Sequence, residues 1–295
     1  MNNENKTNIN WYPGHMAKTK KEIINSMQII DLVIEILDSR IPNSSRNPDI
    51  QEITKNKKKI ILLNKIDLSD EKESIKWKNF FEKEANSCLL VDCNSGKGIN
   101  QVLKKIEELM EDDKKKAAER GRINKTTRVM ILGIPNVGKS SFINRVSKSS
   151  KLEVANRPGV TRQKQWIRIG KNQELLDTPG VLWPKFESQE VALNLAFTGT
   201  IKDDILELQE ISYELIKLLN DKYQDKLFER YEIVAEEWER IKNIPNSTYE
   251  LMKLIARKRG ALISGGKEDI EKAGRIVLDD FRSGKIGKIS LEKVE

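Results

Sequence analysis

The chain has 295 residues, of which 38% are hydrophobic and 33% charged, and its formal net charge is +8. No apolar run approaches the roughly 18–20 residues that would span a bilayer, and the polar residues 1–10 lack the apolar core of a secretory signal. The two cysteines, Cys88 and Cys93, indicate no disulfide framework. We therefore expect a cytoplasmic, monomeric protein with no membrane partner.

Short apolar runs rich in β-branched residues recur through the first two-thirds of the chain. Such near-continuous hydrophobicity is typical of strands buried on both faces of a mostly parallel sheet. The predicted strands are LVIEILD (32–38), KIILLNK (59–65), CLLVDC (88–93), RVMILG (128–133) and ELLDT (174–178). Helical patterns lie between them, for example at 75–85 and 99–110, and 111–122 has the composition of a charged helix end and connector. This alternation predicts a doubly wound α/β domain over residues 1–185.

The pattern changes after about residue 186. The remaining segments have helical periodicity and include no strand-like run of comparable quality, so residues 186–295 are predicted to form a small all-helical domain. Glycines at 260, 265 and 266 separate the last two helices. The predicted helices are 205–220, 231–242, 248–260 and 268–285.

The strongest motif is GIPNVGKS at 133–140, which fits G-x-x-x-x-G-K-[ST] and follows a predicted strand. Such a loop wraps phosphates with its backbone N–H groups, at the positive end of the helix that follows. Lys139 would reach the β- and γ-phosphates as a catalytic cation, and Ser140 would ligate Mg²⁺. A chance match is the alternative, which the flanking strand and helix disfavour. The predicted nucleotide contacts here are Pro135, Asn136, Val137, Gly138, Lys139, Ser140 and Ser141.

Two further motifs complete the predicted phosphate site. In DTPG (177–180), Asp177 can hold the Mg²⁺ shell, and the Gly180 N–H can contact the γ-phosphate. In RPGVT (157–161), Thr161 is a catalytic and Mg²⁺-sensing switch residue, although a plain Pro-Gly turn is the alternative. We place RPGVT in the switch because the other two motifs flank it.

The motif NKID at 64–67 predicts recognition of guanine. Asp67 can accept hydrogen bonds from the ring N1–H and the exocyclic amine, two donors that adenine lacks. Lys65 can lay its aliphatic stem over the base, whereas Asn64 can either contact the base or brace the phosphate loop. Alone N-K-x-D is a weak signal, and its strength comes from its association with the phosphate motifs.

The order of these motifs is inverted. In ordinary GTPases N-K-x-D follows D-x-x-G, but here its only copy precedes the phosphate loop. Between them, DCNSGKG (92–98) takes the place of the guanine-bracing loop, with Asp92 and Cys93 in place of the usual Ser and Ala. Only backbone contacts from Cys93 and Asn94 are therefore predicted there. Contacts in a fold are spatial and not sequential, so we expect a circularly permuted P-loop GTPase domain.

Six segments carry a family resemblance: NWYPGHMAK (10–18), DSRIPNSSRNP (38–48), LLNKIDL (62–68), GIPNVGKSSFINR (133–145), RPGVT (157–161) and LLDTPGVLWPKFE (175–187). They closely resemble the bacterial ribosome biogenesis GTPase A family, over nearly the whole chain and in the same motif order. The WYPGHM and DTPGVLWPK stretches are not general features of GTPases. The resemblance implies a GTPase that acts in assembly of the large ribosomal subunit and binds its ribosomal RNA.

Two residues bear on hydrolysis. Val181 stands where Ras-like enzymes have a water-orienting glutamine, and similar GTPases imply that a histidine near the start, here His15, assists instead. The alternative is that His15 caps a helix or docks on RNA. The resemblance also implies that Asn136 marks activation by K⁺, whereas otherwise Asn136 is a loop residue that tolerates unusual dihedrals. The expected ligands are GTP or GDP, Mg²⁺ and K⁺.

The charge is unevenly distributed, which suggests a polyanionic partner. Residues 1–185 have 35 Lys and Arg against 23 Asp and Glu, and residues 186–295 have 18 against 22. Basic groups are nevertheless concentrated at 256–260 and 281–288, so we expect the helical domain to bind RNA. A solvated basic surface is the alternative. A nucleotide-gated RNA-binding switch and a signalling GTPase remain as competing functions.

Overall fold

The computed structural model describes residues 14–122, 125–149, 166–169, 172–184 and 186–294. The chain divides into two compact units. The sheet unit comprises the described residues up to 186 together with a C-terminal return, Ser290–Val294, and the helical unit comprises 187–289. Within the described ranges, no helix combines the length and apolarity needed to cross a membrane.

A sheet forms the core of the first unit. Its described strands are β1 (Leu32–Asp38), β2 (Lys58–Asn64), β3 (Ser87–Leu90), β4 (Thr127–Leu132), β5 (Trp166–Ile169) and β6 (Gln173–Leu176). They lie in the order β3-β2-β1-β4-β6-β5, and every pairing is parallel except that of β5 with β6. The side chains of β1 are buried throughout, as expected for a strand covered on both faces. The predicted α/β fold with a mostly parallel sheet is confirmed.

The helices of the sheet unit are α1 (Gly14–Met27), α2 (Pro48–Thr54), α3 (Glu71–Phe81), α4 (Ile99–Glu119) and α5 (Lys139–Ser149). Helix α3 begins earlier than predicted because the Asp70 carboxylate caps it, accepting a hydrogen bond from the Glu73 N–H at 3.1 Å. The segment 111–122, predicted as a charged helix end and connector, continues α4 as far as Glu119, since its lysines, glutamates and alanines are good helix formers.

The helical unit contains α6 (Gln189–Phe197), a 3₁₀ turn (Asp203–Ile205), α7 (Leu208–Lys222), α8 (Gln224–Tyr231), α9 (Ala235–Ile241), α10 (Ser247–Lys258) and α11 (Ile270–Arg282). Helices α7 and α11 pack closely, since a Cβ added at Gly274 would lie 2.2 Å from Ser212 Oγ. The segment predicted as a single helix at 231–242 is interrupted, because Glu232 adopts the left-handed conformation with φ +55°.

The C-terminal return was not anticipated by the predicted boundary, which placed residues 186–295 in one domain. Its Leu291 N–H donates to the Arg40 carbonyl at 2.8 Å. The Glu292 carboxylate accepts hydrogen bonds from the N–H groups of Asn43 and Ser44 at 2.6 and 2.9 Å, and from the Ser44 hydroxyl. The return therefore holds the loop that follows β1.

We expect Glu292→Ala to lower the free energy of unfolding of the sheet unit by about 1–3 kcal/mol, because it removes a charged acceptor from two backbone N–H groups. Urea denaturation would measure the change. Lys293→Ala, which alters the exposed neighbour, is the matched control and should shift the midpoint little. Equal midpoints for the two variants would contradict a stabilising role for the return.

Candidate nucleotide-binding site

The predicted motifs converge at one edge of the sheet. NKID begins at the last residue of β2, the 92–98 loop follows β3, the phosphate loop follows β4 and DTPG follows β6. These strands run parallel, so their carboxyl ends share one edge, which is where ligands bind in open α/β sheets. The sheet thus brings together segments that lie more than a hundred residues apart in the chain.

The phosphate loop is a tight turn between β4 and α5. Helix α5 begins at Lys139, so its N-terminal N–H groups lie at the loop. Asn136 has φ +61° and Gly138 has φ +104°. A Cβ added at Gly138 would lie 2.2 Å from Asn64 Nδ2, so this position requires glycine. The left-handed conformation of Asn136 gives a physical basis to the alternative that it is a loop residue tolerant of unusual dihedrals.

Lys139 is directed back over the loop. Its ammonium donates to the carbonyl oxygens of Gly133 and Ile134 at 3.2 and 2.8 Å. Burial lowers the pKa of Lys139 to about 8, although the Asp177 carboxylate opposes that shift. A phosphate anion beside the ammonium would favour its charged form. The following residue, Ser140, is exposed at the start of α5.

Asn64 joins two loops through its side-chain amide. Its Nδ2 donates to the Val137 carbonyl at 2.7 Å, and its Oδ1 accepts from the Cys93 N–H at 3.0 Å. Of the two roles left open by the sequence, these contacts correspond to bracing the phosphate loop. They also tie that loop to the segment after β3.

The 92–98 loop is organised by its own hydrogen bonds. The N–H groups of Cys93 and Asn94, which the sequence offered to the base, donate to Asn64 and to the Asp92 carboxylate. Burial raises the pKa of the Cys93 thiol to about 12, so this side chain remains neutral. Cys93 and Asn94 therefore shape the loop.

Lys65 and Asp67, the other two NKID residues with a predicted role, differ in environment. Lys65 has φ +64°, and its ammonium lies 2.9 Å from Asp38 Oδ2. Asp67 is exposed. Partial desolvation raises the pKa of Asp67, and the neighbouring Asp92 carboxylate raises it further. A base that donates hydrogen bonds would relieve this destabilisation of the anion.

DTPG lies against the phosphate loop. The Thr178 hydroxyl donates to the Ile131 carbonyl of β4, and a Cβ added at Gly180 would lie 2.6 Å from the Pro135 nitrogen. The next residue, Val181, is buried, and its carbonyl accepts a hydrogen bond from Asn47 Nδ2 at 2.7 Å. A side chain so enclosed cannot orient water, as its apolar chemistry already suggested.

The predicted Mg²⁺ ligands can be tested against the donors present. Burial raises the pKa of Asp177 while Lys139 lowers it, so a nearby dication would stabilise its carboxylate. Ser140 adds a hydroxyl oxygen, and oxygen donors are those that Mg²⁺ prefers. Within the described ranges no group of three or more His, Cys, Asp or Glu side chains could hold a metal. These donors fit an ion held by one or two side chains together with nucleotide phosphates.

Two predicted catalytic residues are less completely described. Thr161, with the rest of RPGVT, lies outside the described residues. His15 falls in the first turn of α1, and its position is described for the backbone only.

Sequence reasoning missed three residues: Asp38, which pairs with Lys65, Arg40, whose guanidinium donates to Asp38, and Asn47, which donates to the Val181 carbonyl. These residues lie in the DSRIPNSSRNP segment, which was noted for its resemblance alone. A signal was present: Asp38 ends a predicted strand at the carboxyl edge, beside the strand that leads into NKID.

The fold and the site together define a circularly permuted P-loop GTPase. The family model described as "50S ribosome-binding GTPase" matches residues 128–246. The chain is 42% identical to ribosome biogenesis GTPase A of Bacillus pumilus, over 97% of this chain and 99% of that protein. It belongs to the ribosome biogenesis GTPase A family.

Solved structures give the same result. The GDP-bound structure of TM YlqF matches with a TM-score of 0.66 and 28% identity, covering 92% of this chain and 98% of that one. GNP-bound YlqF from T. maritima matches with a TM-score of 0.63 and 28% identity, covering 94% and 98%.

We expect Asp67→Asn to weaken GDP binding by about a hundredfold or more, because an amide donor would then face the guanine donors. Affinity for xanthosine diphosphate should rise, since its C2 oxygen accepts a hydrogen bond. Fluorescent nucleotide titration would measure both constants. Unchanged GDP affinity would remove NKID from the base pocket.

Proposed function

We propose that the protein binds and hydrolyses GTP as an assembly factor for the large ribosomal subunit, with precursor particles and their ribosomal RNA as partners. The observation that carries this proposal is the convergence of the phosphate loop, DTPG and NKID at one sheet edge, in a chain of this family. The basic character of residues 1–185 supports an RNA partner.

The nucleotide is held by three groups of residues. Residues 135–141 wrap the phosphates, with Lys139 as the cation in contact with the β- and γ-phosphates. Asp177 and Ser140 hold Mg²⁺, and the Gly180 N–H faces the γ-phosphate. Asp67 reads the guanine edge while Lys65 covers its face. The closeness of Gly180 to Pro135 and of Lys139 to Gly133 supports this arrangement.

Hydrolysis by the isolated protein is slow and is stimulated by the ribosomal particle. Val181 is buried and cannot orient water, so His15 assists the attacking water, and Thr161 senses the triphosphate state. Asn136 would help to hold K⁺, which would supply positive charge in the role that an arginine finger has in other GTPases. A signalling GTPase, the competing class, would not need the helical unit to contact a polyanion.

Co-sedimentation tests the proposed partner. Large ribosomal subunits are incubated with the protein and either a non-hydrolysable GTP analogue or GDP, and the bound fraction is measured after centrifugation. More protein should pellet with the analogue, and Lys139→Ala should abolish the difference because it removes a charge-assisted phosphate contact. Equal, background-level binding with both nucleotides would contradict the proposal.

The basic residues 257–259 of the helical unit are not equivalent. Arg257 and Lys258 lie at the surface and pair with Glu268 at 2.6 Å and Glu237 at 2.9 Å. The Lys258 ammonium also donates to the Glu232 carbonyl at 2.9 Å, so Arg257 is the more available of the two. Arg259 instead donates to the Arg230 carbonyl, and its guanidinium lies 5.0 Å from the centre of the Tyr231 ring. Arg259 therefore supports the fold, and RNA contact is proposed for the exposed pair.

We expect Arg257→Glu/Lys258→Glu to weaken subunit binding and flatten its salt dependence, because each lost phosphate contact lowers the log–log slope by about one unit. Nucleotide affinity should not change. The control is Lys217→Glu/Lys242→Glu, which changes the net charge by the same amount. Lys217 is an exposed residue of α7, and Lys242 is an exposed residue directly after α9. Equal effects from both pairs would indicate general charge attraction, not a docking site.

A further inference from the structure

A buried ion cluster lies beside the proposed guanine site. Asp38 ends β1 and is paired in register with Asn64, the residue before Lys65. One carboxylate oxygen of Asp38 lies 2.9 Å from Lys65 Nζ and 2.7 Å from Arg40 Nη2. The other accepts from Arg40 Nε at 3.0 Å. Asp38 and Arg40 are only 2% and 1% exposed.

The orientation of Asp38 is fixed without help from Lys65. The Arg40 backbone N–H and its guanidinium both donate to the Asp38 carboxylate, and the Asp38 N–H donates to Ser45 Oγ at 3.1 Å. Burial alone would raise the pKa of Asp38, but the Arg40 and Lys65 cations together outweigh burial and hold the pKa well below its usual range. The Asp38 carboxylate is therefore a fixed anion that pairs with the Lys65 ammonium.

Pairing with Asp38 restricts the conformational freedom of the Lys65 side chain. A lysine side chain has several rotatable bonds, and ordering it costs conformational entropy. Its backbone is already constrained at φ +64°. An anchored ammonium leaves little freedom to the aliphatic stem between the two ends.

We propose that Asp38 is a positioning residue of the guanine site, whose carboxylate holds the Lys65 ammonium so that the stem is preorganised over the purine ring. This inference rests on the proposed role of Lys65. The stem contacts the face of the ring, which guanine and hypoxanthine share, whereas Asp67 reads the exocyclic amine that only guanine has. Asp38 therefore contributes to purine affinity without contributing to the choice between GDP and IDP.

The test measures GDP and IDP affinity by fluorescence competition for wild type, Asp38→Asn, Lys65→Ala and the double variant. Asparagine keeps the shape of Asp38 but has a single acceptor oxygen and no negative charge, so it cannot pair with Arg40 and Lys65 together as the carboxylate does. Asp38→Asn should weaken GDP and IDP binding by the same factor, about tenfold. In the Lys65→Ala background it should cause no further loss, since coupled residues are not additive.

The outcomes separate the two levels of the proposal. Wild-type affinity in Lys65→Ala would overturn the proposed role of Lys65 itself. A loss in Lys65→Ala alone, or losses in the two single variants that multiply in the double variant, would overturn only the positioning role of Asp38. A changed GDP-to-IDP ratio in Asp38→Asn would also overturn it, because that change would implicate Asp67.

A second variant protects the test against misfolding. Asp38→Asn leaves the buried Arg40 charge with fewer partners, which can unfold the protein. Asp38→Asn/Arg40→Gln removes both charges together while Lys65 stays in place, and its folding is checked by its unfolding midpoint. Equal losses for GDP and IDP support the proposal, and wild-type affinity overturns it.

Discussion

The side-chain amide of Asn64 joins three segments that are distant in sequence, and the site depends on this junction. It donates to the phosphate loop at Val137 and accepts from the loop after β3 at Cys93. Because Asn64 is buried, losing either partner would leave a polar group without water to replace it. The contact is possible only because Gly138 has no side chain. The proposed phosphate-binding loop and the loop after β3 are therefore tied to each other through one side chain.

This arrangement explains why circular permutation leaves the site intact. Strand β4, fourth in the chain, lies between β1 and β6, and each pairing is parallel. Sheet hydrogen bonds and loop contacts depend on where strands lie, not on which loop joins them. Permutation changes which strand is joined covalently to the helical unit. Strand β6, which leads into DTPG, is the last described strand along the chain, so the segment beginning at Val181 continues directly into the residues of the helical unit. The strand that leads into NKID does not have that connection.

The sequence predicted the buried parts of the fold well, because continuous apolar runs have few alternatives. Strand β1 was predicted with its observed bounds. Strand β5 was missed because it has four residues and an exposed Arg168, so its pattern is that of a short edge strand and not of a buried one. The break at Glu232 has no glycine or proline to mark it. The C-terminal return has no periodicity at all, since polar contacts such as those of Glu292 hold it.

Charge is the property for which sequence counting was least informative. A cluster such as residues 257–259 counts as three positive charges, yet the fold uses Arg259 internally and partly neutralises the other two. Likewise the guanine-site motif contains Lys65 but not its anion, Asp38, which pairing of β1 with β2 supplies. Both cases have one cause: a charged side chain acts through its nearest partners, and those partners are set by strand register and helix packing. A local motif therefore identifies which groups can act on a nucleotide or an RNA, while tertiary structure determines which of them remain available to do so.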